Sequence, residues 1–465
     1  MKPVINAGLL SVLIVNAACT NITAKNTQSL ATLSSSETVE VETAETFGTF
    51  IDWCHNQASL TPEARYTVEV LLKIVGTPDC HQAEAILTNL TELDLSAQTI
   101  TDVTPLASFT NLASLYLDRN EIADVTPLAS LTQLTSLDLT SNEIVDVTPL
   151  ASLTQLTSLD LTSNQIVDVT PLASLHQLHQ LSLSFNRIAD AAPLVSLTQL
   201  TELNLIDNHI ADVAPLASLT QLTELNLGDN QIADVTPLTS LTQLTELDLW
   251  DNQIADLAPL NNLTNLTSLR LGGNQIADLG HLTQLTNLTS LGLSDNQIVD
   301  LAPLNNLTNL TSLGLSDNQI VDLGHLTQLT NLTSLRLSNN QIADLTPLSN
   351  LTNLTDLALG FNQITDIAPL ASLTNLTELD LSHNQIVGVA PLANLTNPSV
   401  IWLWSNNIVD ASPLASLADT ELHPLYLGAN PLRDCTCPIQ PDEGCQNNPV
   451  TRCQFNDPWD PWLNR

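Results

Sequence analysis

An asparagine recurs every 22 residues along most of this chain, at Asn120, Asn142, Asn164, Asn186, Asn208, Asn230, Asn252, Asn274, Asn296, Asn318, Asn340, Asn362, Asn384 and Asn406. Each stands in the same phrase: residues 131–152 read LTQLTSLDLTSNEIVDVTPLAS, and residues 153–174 nearly repeat it. A period this strict selects stacked, near-identical coils, because one coil is too small to enclose a core while neighbours bury each other's faces.

One period carries Leu134, Leu137, Leu139, Ile144, Val147, Leu150 and Leu153 as its apolar positions. The alternation around Asp138 predicts a short strand with Leu137 and Leu139 facing inward and Asp138 outward. Pro149 follows about ten residues on, where its fixed φ suits the first position of a tight helical turn, with Thr148 expected as the cap. Each buried aliphatic contributes roughly 1.5–3 kcal/mol before entropy is subtracted.

The asparagine answers a backbone problem. The chain must turn inward after the strand, which strands N–H and C=O groups away from water. An amide has both donors and an acceptor, so a column of them can satisfy these groups coil after coil. Each group left unpaired would cost roughly 1–3 kcal/mol. Gln98 holds the equivalent place in the first turn, and Asn430 closes the series after a 24-residue step. A second column runs Asp102, Asp124, Asp146 and onward to Asp366, is interrupted by Gly388 and resumes at Asp410. Its uniformity favours a turn-shaping role, each carboxylate bonding the backbone about two residues on, over a row of metal ligands.

The phrase LxxLxLxxNxIxDxxPLxx resembles the leucine-rich repeat of the bacterial internalin type, over residues 90–432. The resemblance implies an α/β solenoid: a right-handed superhelix with a concave parallel β-sheet and short 3-10 or turn segments on the convex side. It also implies a helical N-terminal cap, a Cys-rich C-terminal cap, and protein binding on the concave face. The adhesive role of some family members is not carried over, since an LPxTG-like sorting motif and a C-terminal apolar span are missing from this sequence.

The flanks divide into further segments. Residues 1–19 have a lysine, an apolar stretch too short for a comfortable span, and small residues before Cys19, as a secretory signal does. Two readings stand there: a lipoprotein signal with Cys19 lipidated, or ordinary cleavage near Ala17 or Ala18. Residues 20–46 are Ser/Thr/Glu-rich and read as a flexible linker. In residues 47–89, Thr61-Pro62-Glu63 predicts a helix start, and Ala64, Val68, Leu71, Leu72 and Val75 form its apolar stripe. Such a helix is roughly 20 Å long, within reach of the chain leading back to Cys54, so Cys54 and Cys80 are expected to meet. Residues 433–465 hold Cys435, Cys437, Cys445 and Cys453. With Cys19 set aside, six cysteines remain, and two C-terminal disulfides of open pairing are favoured over a zinc site. The whole points to an extracytoplasmic protein that is secreted, periplasmic or lipid-anchored, with a membrane engaged only through Cys19.

The chain carries 49 Asp+Glu against 11 Lys+Arg, a net charge of −38, which excludes nucleic acid and anionic membrane as partners. It shows no nucleophile elbow, phosphate-binding glycine loop or metalloprotease motif, so no catalytic residue, cofactor or metal site is assigned. Some sixteen strands would make a sheet of roughly 75 Å, suited to a macromolecule. Ligand-binding candidates are the residues flanking the strand leucines. Three successive coils supply Glu202, Asn204 and Asp207, then Glu224, Asn226 and Asp229, then Glu246, Asp248, Trp250 and Asp251. Aromatics are only 3% of the chain, which singles out Trp402, Trp404 and Tyr426 as interface candidates, the alternative being that a C-terminal cap carrying Trp459 and Trp462 folds over them. Arg270 and Arg336 read as isolated solvated cations, and His176 and His179 as surface variation. The N-x-T sequons at Asn265 and Asn287 read as by-products of repetition. Residues 257–300 and 301–344 are nearly one 44-residue unit, with Gly280-His281 and Gly324-His325 in place of x-Pro, a mark of duplication. The expected function is non-enzymatic binding of a macromolecule, most simply a protein, on the concave face. The alternative is a calcium-dependent structural or adhesive envelope protein, calcium being a hard cation suited to carboxylates.

Overall fold

A computed structural model describes residues 47–433 apart from Asp419, Glu421 and His423, together with Pro438 and Ile439. Cys19, the signal and linker segments, Cys435, Cys437, Cys445 and Cys453, and Trp459 and Trp462 lie outside the described residues.

The repeats form one parallel sheet of 16 strands in sequence order, from β1 (Glu92–Asp94) to β16 (Leu425–Tyr426). Each strand is three residues or fewer, because the coil spends only the L-x-L part of its period on the sheet. The register is set by the repeat: Leu137 pairs with Leu159, and Ser136 and Asp138 with Ser158 and Asp160. Opposite the sheet lie short 3-10 turns such as Thr148–Ser152. All seven apolar positions of the coil from Leu134 to Leu153 are buried. Their columns run the length of the solenoid as one continuous core.

The 3-10 turn is capped differently from expectation. Thr148 is the first residue of the turn and no side-chain bond caps it from Val147. Asp146 supplies the bond instead, its Oδ1 accepting the Thr148 N–H at 2.8 Å. The same contact recurs at Asp102, Asp190, Asp256 and Asp410. A carboxylate two residues upstream reaches an N–H that a side chain on the turn itself cannot, which is the Asx geometry of turn initiation.

The ladder asparagines tie each coil to the one before. Asn164 is buried; its Nδ2 donates to Leu139 O and Leu161 O, both at 3.0 Å. Its Oδ1 accepts the Ile144 N–H at 3.0 Å. Leu139 and Ile144 belong to the preceding coil, so every amide bonds within its own turn and backward. The pattern begins at Asn120, which reaches Leu95 O and the Ile100 N–H. It ends at Asn430, which reaches Leu403 O and the Ile408 N–H. Gln98, with no repeat before it, donates only locally to Ser96 O, and Asn120 Oδ1 accepts its own N–H.

Just before each ladder asparagine the chain adopts positive φ, from Arg119 (54°) through Asp207 (52°), Phe361 (56°) and His383 (49°) to Ser405 (56°). Left-handed geometry is uphill for these L-residues, and Gly273 alone relieves it along the regular array. The turn is held by the amide bonds on either side.

The N-terminal cap holds three helices: α1 (Phe50–His55), α2 (Pro62–Val75) and α3 (Cys80–Leu87). Helix α2 starts as the sequence implies, with Thr61 Oγ1 accepting the Ala64 N–H and Gly76 in left-handed geometry at its end. Ala64, Val68 and Leu71 are buried, while Leu72 and Val75 are only partly covered. Cys54 and Cys80 form a disulfide that joins α1 to α3. The cap seals the first coil: Thr67 Oγ1 donates to Asp102 O at 2.7 Å, Tyr66 Oη donates to Gln98 O at 2.9 Å, and Phe50 packs on Phe109. Groups that a further coil would have paired are thus met by helix side chains.

Candidate binding surface

The outward strand positions make a polar strip whose composition changes along the sheet. Over β6 (Glu202–Asn204), β7 (Glu224–Asn226) and β8 (Glu246–Asp248) the register aligns Glu202 with Glu224 and Glu246, and Asn204 with Asn226 and Asp248. Asp207 and Asp229 stand at the positive-φ positions beside this row, with Asp251 next. Neighbouring parallel strands lie about 4.8 Å apart, so these carboxylates feel each other directly. Burial, followed by Glu202 and Glu246, pushes the Glu224 carboxyl above its usual range. Burial, followed by Asp207 and Asp251, does the same to Asp229. A shallow depression of ≈ 300 Å³ opens on the acidic stretch, reaching from Ser158 and Asp160 across Gln180 and Ser182 to Glu224 and Asn226. Gln180 Nε2 donates to both carboxylate oxygens of Glu202 at 3.0 Å. Asp160, Gln180 and Ser182 are lining residues that the sequence candidates omit, although the same outward register contains them.

Arg270 and Arg336 are not isolated cations. Arg270 lies 3.4 Å from Asp248, its registered neighbour on β8, and Arg336 lies 3.6 Å from Asp356. Both arginines are mostly exposed, so each pair is worth little to stability. Arg270 does mark where the uncompensated acidic stretch ends.

Trp250 closes that stretch with its side chain half exposed. A Cβ placed on Gly272 of the next coil would come within 3.1 Å of Trp250 Cδ1, so the glycine leaves room for the indole to lean along the sheet. Trp402, Trp404 and Tyr426 do not form one cluster. Trp402 stacks with Tyr426, rings 6.1 Å apart and 3° from parallel, following the strand register. Trp404 instead meets His383 edge-on at 4.0 Å, and His383 stacks on Phe361 at 3.9 Å. Phe361 and His383 stand just before a ladder asparagine, in the same column as Asp207, Asp229 and Asp251, but are not among the sequence candidates. The 22-residue column of positive-φ positions is the signal that would have found them.

His179 Nδ1 lies 2.8 Å from Gln177 O, a local contact. The sequon asparagines bond the backbone of the preceding coil, Asn265 Nδ2 donating to Thr242 O at 2.9 Å and Asn287 Nδ2 to Thr264 O at 2.8 Å. Among the described residues, no group of three or more His, Cys, Asp or Glu side chains is arranged to hold a metal ion. Among the same residues, no helix is long and apolar enough to cross a membrane.

The sequence matches the family described as Leucine Rich repeats (2 copies) in successive stretches from residues 88–130 to 374–416. A comparison with curated proteins returns no match. Among solved structures, the chain is similar to an internalin (inlF) from Listeria monocytogenes, with 33% identity over 77% of this chain and 98% of that one, at TM-score 0.62. It is also similar to a leucine-rich repeat protein of Leptospira interrogans, with 28% identity over 76% and 94% of the two chains, at TM-score 0.69. The functional domain of InlJ from Listeria monocytogenes, at 22% identity over 81% and 80% of the chains and TM-score 0.55, shares the fold. The asparagine ladder, the three-residue strands and these likenesses agree: the chain belongs to the leucine-rich repeat family and is of the bacterial internalin type.

Proposed function

We propose that this protein is a non-enzymatic scaffold that binds a protein partner on its concave face, outside the cytoplasm. The observation that carries the reading is the acidic row from Glu202 to Asp251, in which Glu224 and Asp229 are each crowded by two neighbouring carboxylates. Like charges held in register on a rigid sheet are relieved by a basic partner surface, which gains rate and specificity from complementarity. The candidate contacts are Glu202, Asn204, Asp207, Glu224, Asn226, Asp229, Glu246, Asp248, Trp250 and Asp251, with Trp402, Trp404 and Tyr426 as a second aromatic region. The Cys54–Cys80 disulfide supports an oxidising compartment. Envelope placement, with Cys19 as lipid anchor, is part of the same proposal.

The test is retention of surface-extract proteins on the immobilised full chain, repeated with a Glu202→Gln/Glu224→Gln/Glu246→Gln variant. A partner that the variant releases at lower salt than the parent supports the reading. A partner held equally by both, or none retained by either, refutes it.

A further inference from the structure

Near the C-terminal end of the sheet, two short rows of rings lie on the coils around the strand that carries Asp380. Asp380 is the less exposed of the two outward residues of β14 (Glu378–Asp380), registered between Ala358 on one side and Trp402 on the other. A Cβ built on Gly360 would fall 2.7 Å from Asp380 Oδ2 and 3.0 Å from Ser382 Oγ. The carboxylate therefore fills space that any other residue at position 360 would take. Rows of rings run beside it, Phe361–His383–Trp404 along one line and Trp402–Tyr426 along the other. Phe361, Trp402, Trp404 and Tyr426 within four coils are a local concentration in a chain that is 3% Phe, Trp and Tyr, and Phe361 remains 41% exposed.

Burial is the largest influence on this carboxyl and pushes it above its usual range, while the Ser382 hydrogen bonds and the charge of His383 pull the other way. Among the described residues, no lysine or arginine forms an ion pair with Asp380. A carboxylate sunk beside ring faces has the two elements that recognise an organic cation: a countercharge and π surfaces within about 6 Å. The net charge of −38 favours a cationic occupant over a neutral sugar. A guanidinium fits better than an ammonium, being planar enough to stack on indole while bonding a carboxylate through its fork.

We propose that Asp380, with Trp402 registered beside it and the Trp404–His383 pair on the same two coils, is the anchor for an arginine side chain of the protein partner. This rests on the concave-face reading above but uses a different part of the sheet. The anchor lies about six coils beyond the acidic row, or roughly 30 Å at 4.8 Å per strand, so a partner engaging both must be an extended basic surface.

The experiment is calorimetric titration of the full chain with a hexa-arginine peptide, a hexa-lysine peptide and a neutral chito-oligosaccharide, at physiological salt. Asp380→Asn and Trp404→Leu are each expected to weaken hexa-arginine binding about tenfold while the melting temperature holds. The Glu202→Gln/Glu224→Gln/Glu246→Gln variant should leave most of the Asp380-dependent part intact. Hexa-lysine should bind more weakly than hexa-arginine, and equal binding overturns the choice of arginine. If Asp380→Asn and Trp404→Leu change nothing while the triple variant abolishes binding, the anchor falls and the acidic-row reading stands. If the oligosaccharide binds in a Trp402-dependent way and the peptides do not, the proposal is likewise overturned.

Discussion

Replacing Asn164 with leucine removes one rung of the amide ladder while keeping the side chain's approximate size. Three backbone groups lose partners held at 3.0 Å: the Ile144 N–H, the Leu139 carbonyl and the Leu161 carbonyl. The weaker 3.3 Å contact to Thr162 O goes with them. With Asn164 only 8% exposed, water replaces these bonds poorly. Only the Ile144 N–H is orphaned, because Leu139 O keeps the Asn142 amide and Leu161 O keeps the Asn186 amide, so the expected loss is about 1–3 kcal/mol. Asn164→Asp retains an acceptor for Ile144 but sets a buried charge against the Leu139 and Leu161 carbonyls, and it is expected to be less damaging at low pH, where a protonated carboxyl can donate again. The assay is denaturant unfolding of both variants with amide hydrogen exchange across residues 139–166. In a stacked array the damage should be local first, with exchange accelerating in the coils on either side of position 164. A loss below about 1 kcal/mol with unchanged protection at Ile144 would refute the claim that the amides carry the turn.

Four other outcomes are expected. Removing the Cys54–Cys80 bridge, with its sequence separation of 26, by paired serine substitution should cost about 3.5 kcal/mol by the loop-entropy estimate and fray α1 from α3, seen as protease cleavage confined to the cap. Glu224→Gln should stabilise the fold at neutral pH. Its raised pKa means the folded state favours the proton, so the advantage should shrink as pH falls through that raised value, and a constant advantage would contradict it. Asp146→Asn should behave oppositely. Its carboxyl is held below the usual range by the Thr148 hydroxyl and then the Thr148 N–H, so the wild-type advantage should persist at neutral pH and vanish only as pH falls through the depressed value. Finally, the melting temperature should be the same in calcium and in chelator, and a rise of several degrees in calcium would restore the calcium-dependent alternative.

Much of the fold was legible because a 22-residue period ties each chemical need to a fixed column. The leucine columns, the backward-reaching amides and the Asp146-type contacts each repeat often enough to be read from residue identity alone. Thr148 was misplaced because proline and threonine both signal a turn, and only geometry shows which side chain reaches the first N–H. Helices α1 and α3 are short and unrepeated, so no periodicity announced them, though Thr49 and Asp79 are their N-caps. The arginine pairs and the split of Trp402 from Trp404 depend on side-chain direction between neighbouring coils. A column can be read along the sequence; which neighbour a flexible side chain leans toward cannot.

Because every amide rung bonds only its own turn and the turn before, a whole coil can be spliced in or out without orphaning a rung at either junction. The near-identical segments 257–300 and 301–344 look like such an insertion. Sheet length thus becomes an adjustable ruler, graduated in steps of about 4.8 Å, that duplication can reset without redesigning the interior.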